Sequence, residues 1–95
     1  MRIEKIRAAL QAALQPESLL IEDESHKHAG HAGAATGRGH FHVEIVAQGF
    51  AGTPLIARHR RVYEALGALM QTDIHALSLR ARTPAEAAAE PSASR

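Results

Sequence analysis

The chain contains no cysteine and few aromatic residues, with two phenylalanines, one tyrosine and no tryptophan. Without cysteine it can form no disulfide framework and can supply no thiolate to a metal. Any metal bound by this chain must therefore be held by histidine, by carboxylate or by ligands from a partner. Because aromatic residues make up only 3% of the sequence, the core must be built mainly from leucine, isoleucine, valine and alanine.

The sequence also lacks a long apolar run and an excess of charge of one sign. Its amino-terminal segment is charged and periodic, which predicts neither a signal peptide nor a membrane-spanning helix. We therefore expect a cytoplasmic protein with no membrane partner. Eleven lysine and arginine residues nearly balance ten acidic residues, so no global field recruits nucleic acid. A length of 95 residues fits one small domain.

Hydrophobic periodicity predicts an α+β fold with the order helix, strand, strand, broken helix, strand. Thr53 and Pro54 are expected to be the N-cap and the first position of the second helix. Residues 85–95 have little to bury, so we expect a disordered tail after a domain spanning residues 1–84. In order, the predicted elements are helix 2–14, strand 18–23, strand 40–47, helix 54–70 and strand 74–82.

Histidine is the feature that stands out, with seven in the chain. His26, His28 and His31 lie in a glycine-rich stretch, residues 24–39, which we expect to be a long loop. Imidazole is the commonest metal ligand, but this spacing matches no fixed zinc pattern. A solvated loop and a zinc or nickel site therefore both stay open.

The other candidate is His75, near the start of the third strand. Its strand parity matches that of Leu77 and Leu79, which predicts a position on the core face or at its mouth. A histidine in such a place is more often a hydrogen-bonded structural residue than a ligand. His40 and His42 share one face of the second strand and are interpreted as surface residues.

A basic run on the second helix is expected to be a solvated face, and nucleic-acid contact is the alternative interpretation. The residues of this alternative, from the helix and the third strand, are Arg58, Arg60, Arg61, Arg80 and Arg82. The G-x-x-G at residues 49–52 is interpreted as a turn, because it contains no basic residue. No set of nucleophile, base and orienting group is recognisable, so we expect no catalytic residues and no enzyme activity.

Four segments carry a more specific signal, and the resemblance built on them covers about residues 1–84. They are Asp23-Glu24-Ser25-His26-Lys27-His28, then Gly39-His40-Phe41-His42-Val43, then Phe50-x-Gly52 with Arg58-His59-Arg60-x-Val62-Tyr63, and last Ile74-His75-Ala76-Leu77 with Arg80-x-x-Thr83-Pro84. With these segments the chain resembles the BolA proteins. The resemblance implies an α-β-β-α-α-β fold similar to class II KH domains, with a three-stranded mixed sheet and helices packed on one face.

The resemblance also implies a monothiol glutaredoxin as partner and a shared [2Fe–2S] cluster. The glutaredoxin would supply a cysteine and a glutathione thiolate, and this chain would supply two histidines. The family's strand ligand falls on His75 and its loop ligand on His28, with His31 as the alternative loop ligand. The implied role is iron–sulfur cluster assembly, trafficking or iron signalling. A KH-like transcriptional regulator that binds DNA is the alternative.

Overall fold

The computed structural model describes residues 2–25 and 39–90, which form four helices, three strands and one 3-10 turn. The predicted α+β fold and its element order are confirmed. The elements are α1 (Arg2–Leu14), β1 (Ser18–Asp23), β2 (Gly39–Val46), the 3-10 turn (Gln48–Phe50), α2 (Leu55–Leu66), α3 (Leu69–Thr72), β3 (Ile74–Arg82) and α4 (Pro84–Ala89).

The three strands form one mixed sheet in the order β1-β2-β3. β1 pairs with β2 in the antiparallel sense, and β2 pairs with β3 in the parallel sense. Phe41, Val43 and Ile45 alternate along β2 and are all buried, because successive side chains of a strand point to opposite faces. This face of the sheet is therefore the one that contacts the core.

The long helices cover that one face with apolar residues at helical spacing. Ile6 and Leu10 of α1 are buried four residues apart, as are Val62 and Leu66 of α2. Residues at this spacing lie on the same side of a helix. The prediction of a three-stranded mixed sheet with helices packed on one face is thus confirmed.

The second helical region is interrupted, as the sequence predicted. Gly67 ends α2 with a positive φ of 53°, a conformation that glycine adopts readily, and α3 follows at Leu69. The predicted start is one residue too early, because Pro54 is the N-cap and makes no side-chain capping bond. The G-x-x-G segment is a turn as expected, and its Phe50 is fully buried.

The expectation of a disordered tail is wrong for residues 85–89, which belong to α4. The Thr83 hydroxyl accepts a hydrogen bond from the Glu86 N–H (3.1 Å), and the Glu86 carboxylate accepts one from the Thr83 N–H (3.0 Å). This capping box satisfies free amide groups at the start of the helix. Residues 91–95 lie outside the described part of the chain. Across residues 2–25 and 39–90, no helix has the length and apolar character needed to cross a membrane.

Candidate metal-binding site at the start of strand β3

His75 lies at an irregularity in the pairing of β2 with β3. Gly39 is opposite Ile74 and His40 is opposite Ala76, so within this described pairing His75 has no opposite residue. An extra residue of this kind is a β-bulge, which redirects side chains out of the regular alternation. His75 is accordingly exposed, whereas Ile74 is only 1% exposed and belongs to the core.

The prediction from strand parity, which placed His75 with Leu77 and Leu79, is therefore wrong. Regular alternation would put Ile74 on the open side of the sheet, yet Ile74 is in the core. The bulge shifts the parity by one residue, and neither strand's own sequence shows that shift. As a result, the imidazole of His75 is available to an external group rather than enclosed.

A second imidazole adjoins His75. The ring centroids of His40 and His75 are 5.1 Å apart, with the ring planes tilted by 56°. Because β2 and β3 are parallel, their first residues meet at the same end of the sheet. His40 is half-buried there, so its interpretation as a surface residue is only partly right.

The glycine-rich segment leaves and re-enters the sheet at this same end. The His40 N–H donates to the Ser25 hydroxyl oxygen (3.1 Å), and the Glu24 N–H donates to the His40 carbonyl (2.8 Å). The Gly39 N–H donates to the Asp73 carbonyl (2.9 Å). Both ends of the segment are thus fixed beside the two imidazoles.

Gly39 makes this close arrangement sterically feasible. A Cβ at residue 39 would lie 2.7 Å from Cε2 of Phe41 and 2.8 Å from Oγ of Ser25. Phe41 is part of the core and Ser25 holds the base of the segment, so neither can move without cost. The site therefore depends on a residue without a side chain.

The predicted loop ligands His28 and His31 lie outside the described residues, and so does His26. Among residues 2–25 and 39–90, no group of three or more histidine, cysteine or acidic side chains is arranged to hold a metal ion. Of the three predicted ligands, His28, His31 and His75, only His75 lies among the described residues.

Arg58 is buried, so the expectation that it lies on a solvated helix face is wrong. Its Nε donates to the Thr53 carbonyl (2.7 Å), Nη1 donates to the Ala81 carbonyl (3.1 Å), and both Nη atoms donate to the Glu86 carboxylate (2.6 and 3.0 Å). The guanidinium also lies 5.9 Å from the centroid of the Phe50 ring. The expectation failed because it did not include α4, which supplies the partner carboxylate.

This pairing shifts both titratable groups. The hydrogen bonds from Arg58 lower the pKa of Glu86 to about 2, with the Thr83 N–H adding to the effect. The same contact raises the pKa of Arg58. Glu86 is therefore an ionised carboxylate at neutral pH, and it joins α4 to α2.

The arginines of β3 are paired as well. Arg80 contacts the Glu90 carboxylate at 2.9 Å, and Arg82 contacts both Glu90 and, at 3.4 Å, Glu44. Arg60 and Arg61 of α2 are exposed. The five arginines of the nucleic-acid interpretation therefore do not form one open basic surface, since Arg58 is enclosed and the two on β3 face carboxylates.

The structure also brings together three side chains that sequence analysis did not connect. The Ser78 hydroxyl lies 3.0 Å from Nδ1 of His42, and Nε2 of His42 lies 2.9 Å from the Glu44 carboxylate. The alternation of β2 predicts that His42 and Glu44 share a face. That Ser78 joins them depends on the register of β3, which a single sequence does not reveal.

Comparison with known proteins gives a consistent result. The family model described as BolA-like protein matches residues 10–86. The chain is 46% identical over 88 residues to "Protein BOLA1, chloroplastic" of Arabidopsis thaliana, covering 90% of this chain and 55% of that protein. It is 44% identical over 87 residues to "SufE-like protein 1, chloroplastic/mitochondrial" of the same plant, covering 86% and 24%. It is 39% identical over 80 residues to "DNA-binding transcriptional regulator BolA" of Escherichia coli K12, covering 84% and 73%.

Among solved structures, BolA1 from Arabidopsis thaliana superposes with a TM-score of 0.78 at 41% identity, covering 96% of this chain and 98% of that one. The chain spans about half the length of the first of these relatives and about a quarter of the second. The names of both place them in organelles, so the cytoplasmic location stays a prediction for this chain.

Proposed function

This chain belongs to the BolA family, and from that premise we propose that it is an adaptor that binds a monothiol glutaredoxin and shares a [2Fe–2S] cluster with it. In this role it acts in iron–sulfur cluster assembly, trafficking or iron signalling, as a binding protein and not as an enzyme. The observation that carries the proposal is the exposed His75, turned outward by a bulge beside the anchored ends of the histidine-rich segment.

The available donors fit such a cluster. Histidine can replace cysteine on one iron of a [2Fe–2S] centre, as it does in Rieske proteins. A chain without cysteine would therefore contribute two imidazoles as ligands, and the glutaredoxin cysteine and glutathione would contribute the thiolates. We assign His75 as the fixed ligand and His28 as the loop ligand, with His31 as the alternative. When bound, the cluster supplies one-electron redox chemistry and transferable iron and sulfide.

The chain length between the anchors and the loop histidine supports this pair. Three residues of chain lead from Ser25 to His28, a span of at most about 10 Å when extended. Ser25 is hydrogen-bonded to His40, whose ring adjoins that of His75. Ordering the segment around a ligand costs conformational entropy, which bonds to the metal and contacts with the partner must exceed.

The name of one relative supports the iron–sulfur part of this role. A BolA-like sequence occurs within a SufE-like protein, which supports a link to iron–sulfur metabolism. A binding role also explains why the open imidazole lies at the end of the sheet, where a second protein can approach it.

The decisive experiment mixes this chain with a cluster-loaded monothiol glutaredoxin under anaerobic conditions. We expect a heterocomplex on a sizing column and a changed visible absorption and circular dichroism spectrum. His75→Ala should remove the spectral change. His59→Ala should not, because His59 lines a cavity with Arg80 and Arg82 at the other end of β3. No complex together with an unchanged spectrum would reject the adaptor function.

The loop ligand is then identified by comparing His28→Ala with His31→Ala in the same assay. Loss of the heterocomplex spectrum in the first variant alone assigns His28. Loss in the second alone assigns His31 instead. If both variants keep the wild-type spectrum while His75→Ala loses it, the loop ligand is a different residue.

A second candidate function is DNA-binding transcriptional regulation, favoured by the similarity to the Escherichia coli regulator. The exposed Arg60 and Arg61 would make phosphate contacts, whereas Arg58 is enclosed. Affinity for labelled duplex DNA should then fall steeply as salt rises. Arg60→Ala and Arg61→Ala should each lower the salt slope by about 1. An absent or salt-independent shift would exclude this function.

A further inference from the structure

Ser78, His42 and Glu44 form a hydrogen-bonded chain on the sheet face opposite the helices. Ser78 Oγ is 3.0 Å from Nδ1 of His42, and the other ring nitrogen is 2.9 Å from Oε2 of Glu44. These distances are those of normal hydrogen bonds. A hydroxyl, an imidazole and a carboxylate in this order are the parts of an activated nucleophile.

The carboxylate of Glu44 selects which ring nitrogen of a neutral His42 carries the hydrogen. The hydrogen bond from His42 lowers the pKa of Glu44, and Arg82 adds to the effect. Glu44 is therefore an ionised carboxylate that accepts a hydrogen bond from the Nε2–H of His42. Neutral imidazole carries one N–H, so Nδ1 presents its lone pair to Ser78, whose hydroxyl donates to it.

An incoming reagent can reach this hydroxyl. Ser78 is exposed, and it lies on the face of the sheet that the long helices leave open. His42 and Glu44 are half-buried, which limits their motion. The reactive atom is therefore accessible while the groups that activate it are held in place.

We propose that Ser78 is an activated hydroxyl that accepts an acyl group from activated carboxylic esters, with His42 as its base and Glu44 as the positioning residue. Ser78 Oγ attacks the carbonyl carbon and forms a new C–O bond, while its proton passes to Nδ1 of His42. The bond to the leaving alcohol then breaks, and the leaving group takes the proton from His42. The products are an acylated Ser78 and a free alcohol, with no change of oxidation state.

The orientation of the backbone at Ser78 predicts that this hydroxyl is acylated once and is not released again by hydrolysis. The Ala47 N–H donates to the Arg82 carbonyl, and alternate residues of a strand repeat this orientation. The N–H of Ser78 therefore points towards β2 and is used in sheet pairing. It therefore cannot donate a hydrogen bond to the negatively charged oxygen of a tetrahedral intermediate. One such donor raises kcat by roughly 100-fold to 1000-fold in hydrolases. Acylation and hydrolysis both lack this donor, but the alkyl ester of serine is less reactive than the activated ester that forms it, so the acylated serine should persist.

The test incubates the full chain with p-nitrophenyl acetate and locates the acetyl group by peptide mass mapping. We expect modification of Ser78 with at most one equivalent of p-nitrophenolate released from this site, and none at Ser18, which is exposed on β1 of the same sheet. His42→Gln should slow acetylation of Ser78 by at least about 10-fold, since a positioned base contributes about 100-fold or more. Ser18→Ala is the matched control.

The role of Glu44 is tested separately. Glu44→Ala should slow acetylation of Ser78, and Glu44→Gln, which keeps an acceptor oxygen for the imidazole, should restore part of the rate. A purely structural role would not distinguish these two variants once circular dichroism shows both to be folded. Equal modification of Ser18 and Ser78 in the unaltered chain, or an unchanged rate at Ser78 in His42→Gln, would overturn the proposal.

Discussion

Gly39, whose side chain is a single hydrogen atom, controls the geometry around His75. A Cβ added at residue 39 would overlap the Phe41 ring and the Ser25 hydroxyl, so only glycine fits there without a shift of these neighbours. The same residue is opposite Ile74, immediately before the bulge that exposes His75. The position of the candidate ligand is therefore coupled to the core through one glycine.

Gly39→Ala should lower the free energy of unfolding by about 1–3 kcal/mol, because the added methyl group overpacks a filled space. Urea denaturation followed by circular dichroism measures this change. The matched control is Gly49→Ala, where a Cβ meets nothing within 4 Å. The control should change stability by no more than about 0.5 kcal/mol. Equal effects of the two substitutions would contradict the packing argument.

At the scale of elements, α4 is held by polar contacts. None of its side chains is buried, yet Glu86 binds Arg58 of α2, and Glu90, just beyond its end, binds Arg80 and Arg82 of β3. A helix attached in this way should respond to pH and to loss of its cap more than to changes in the core.

Protonation of Glu86 should weaken the attachment of α4. Its pKa is lowered from 4.5 to about 2 in the folded chain, so its stabilising contribution is complete above pH 4.5 and is lost as pH falls towards 2. In urea denaturation between pH 5 and 2, Glu86→Gln should show a shallower loss of stability than the unaltered chain. Glu64→Gln, at an exposed residue of α2, is the matched control, and Glu86→Gln should flatten the pH dependence more than this control does.

Removal of the cap should loosen α4 locally. Thr83→Ala deletes the hydroxyl that accepts from the Glu86 N–H, a change worth about 0.5–2 kcal/mol. Amide exchange in residues 86–89 should accelerate by roughly 2-fold to 30-fold, while amides of β2 exchange as before. Unchanged exchange in α4 would show that the cap does not stabilise it.

At the scale of the whole molecule, a small core carries the stability. The buried cluster joins α1, all three strands and α2. Its largest side chains are those of Phe41 and Phe50. A domain of this size buries a limited fraction of its surface. Each large core side chain therefore contributes a substantial share of the stability.

Phe50→Ala should destabilise the fold by about 3–5 kcal/mol through lost burial and a residual cavity. A small domain typically has about 5–15 kcal/mol in all, so the variant should be partly unfolded at moderate temperature. Tyr63→Ala, at a residue 40% exposed, should cost clearly less. Thermal unfolding of both variants checks the difference, and similar melting temperatures would contradict the assignment of Phe50 to the core.

Local sequence pattern was sufficient for most of the fold. The helix at 2–14 and the strands at 18–23 and 74–82 lie where periodicity predicts them, because burial of one face imposes a spacing of 3.6 or 2 residues. The failure at α4 has a local cause. Thr83, Pro84 and Glu86 carry the capping-box signal, and the expectation of disorder considered only the lack of apolar residues.

The sequence by itself determined that metal ligands from this chain must be histidines or carboxylates, since a chain without cysteine has no thiolate to offer. It also determined the three strands and the helices α1 and α2, because their hydrophobic periodicity is local. Only the tertiary structure decided that His75 is exposed, that Arg58 is enclosed, and that Ser78 meets His42. Each of these depends on register or contact between segments distant in sequence, which are fixed by packing of the whole chain and not by any one segment.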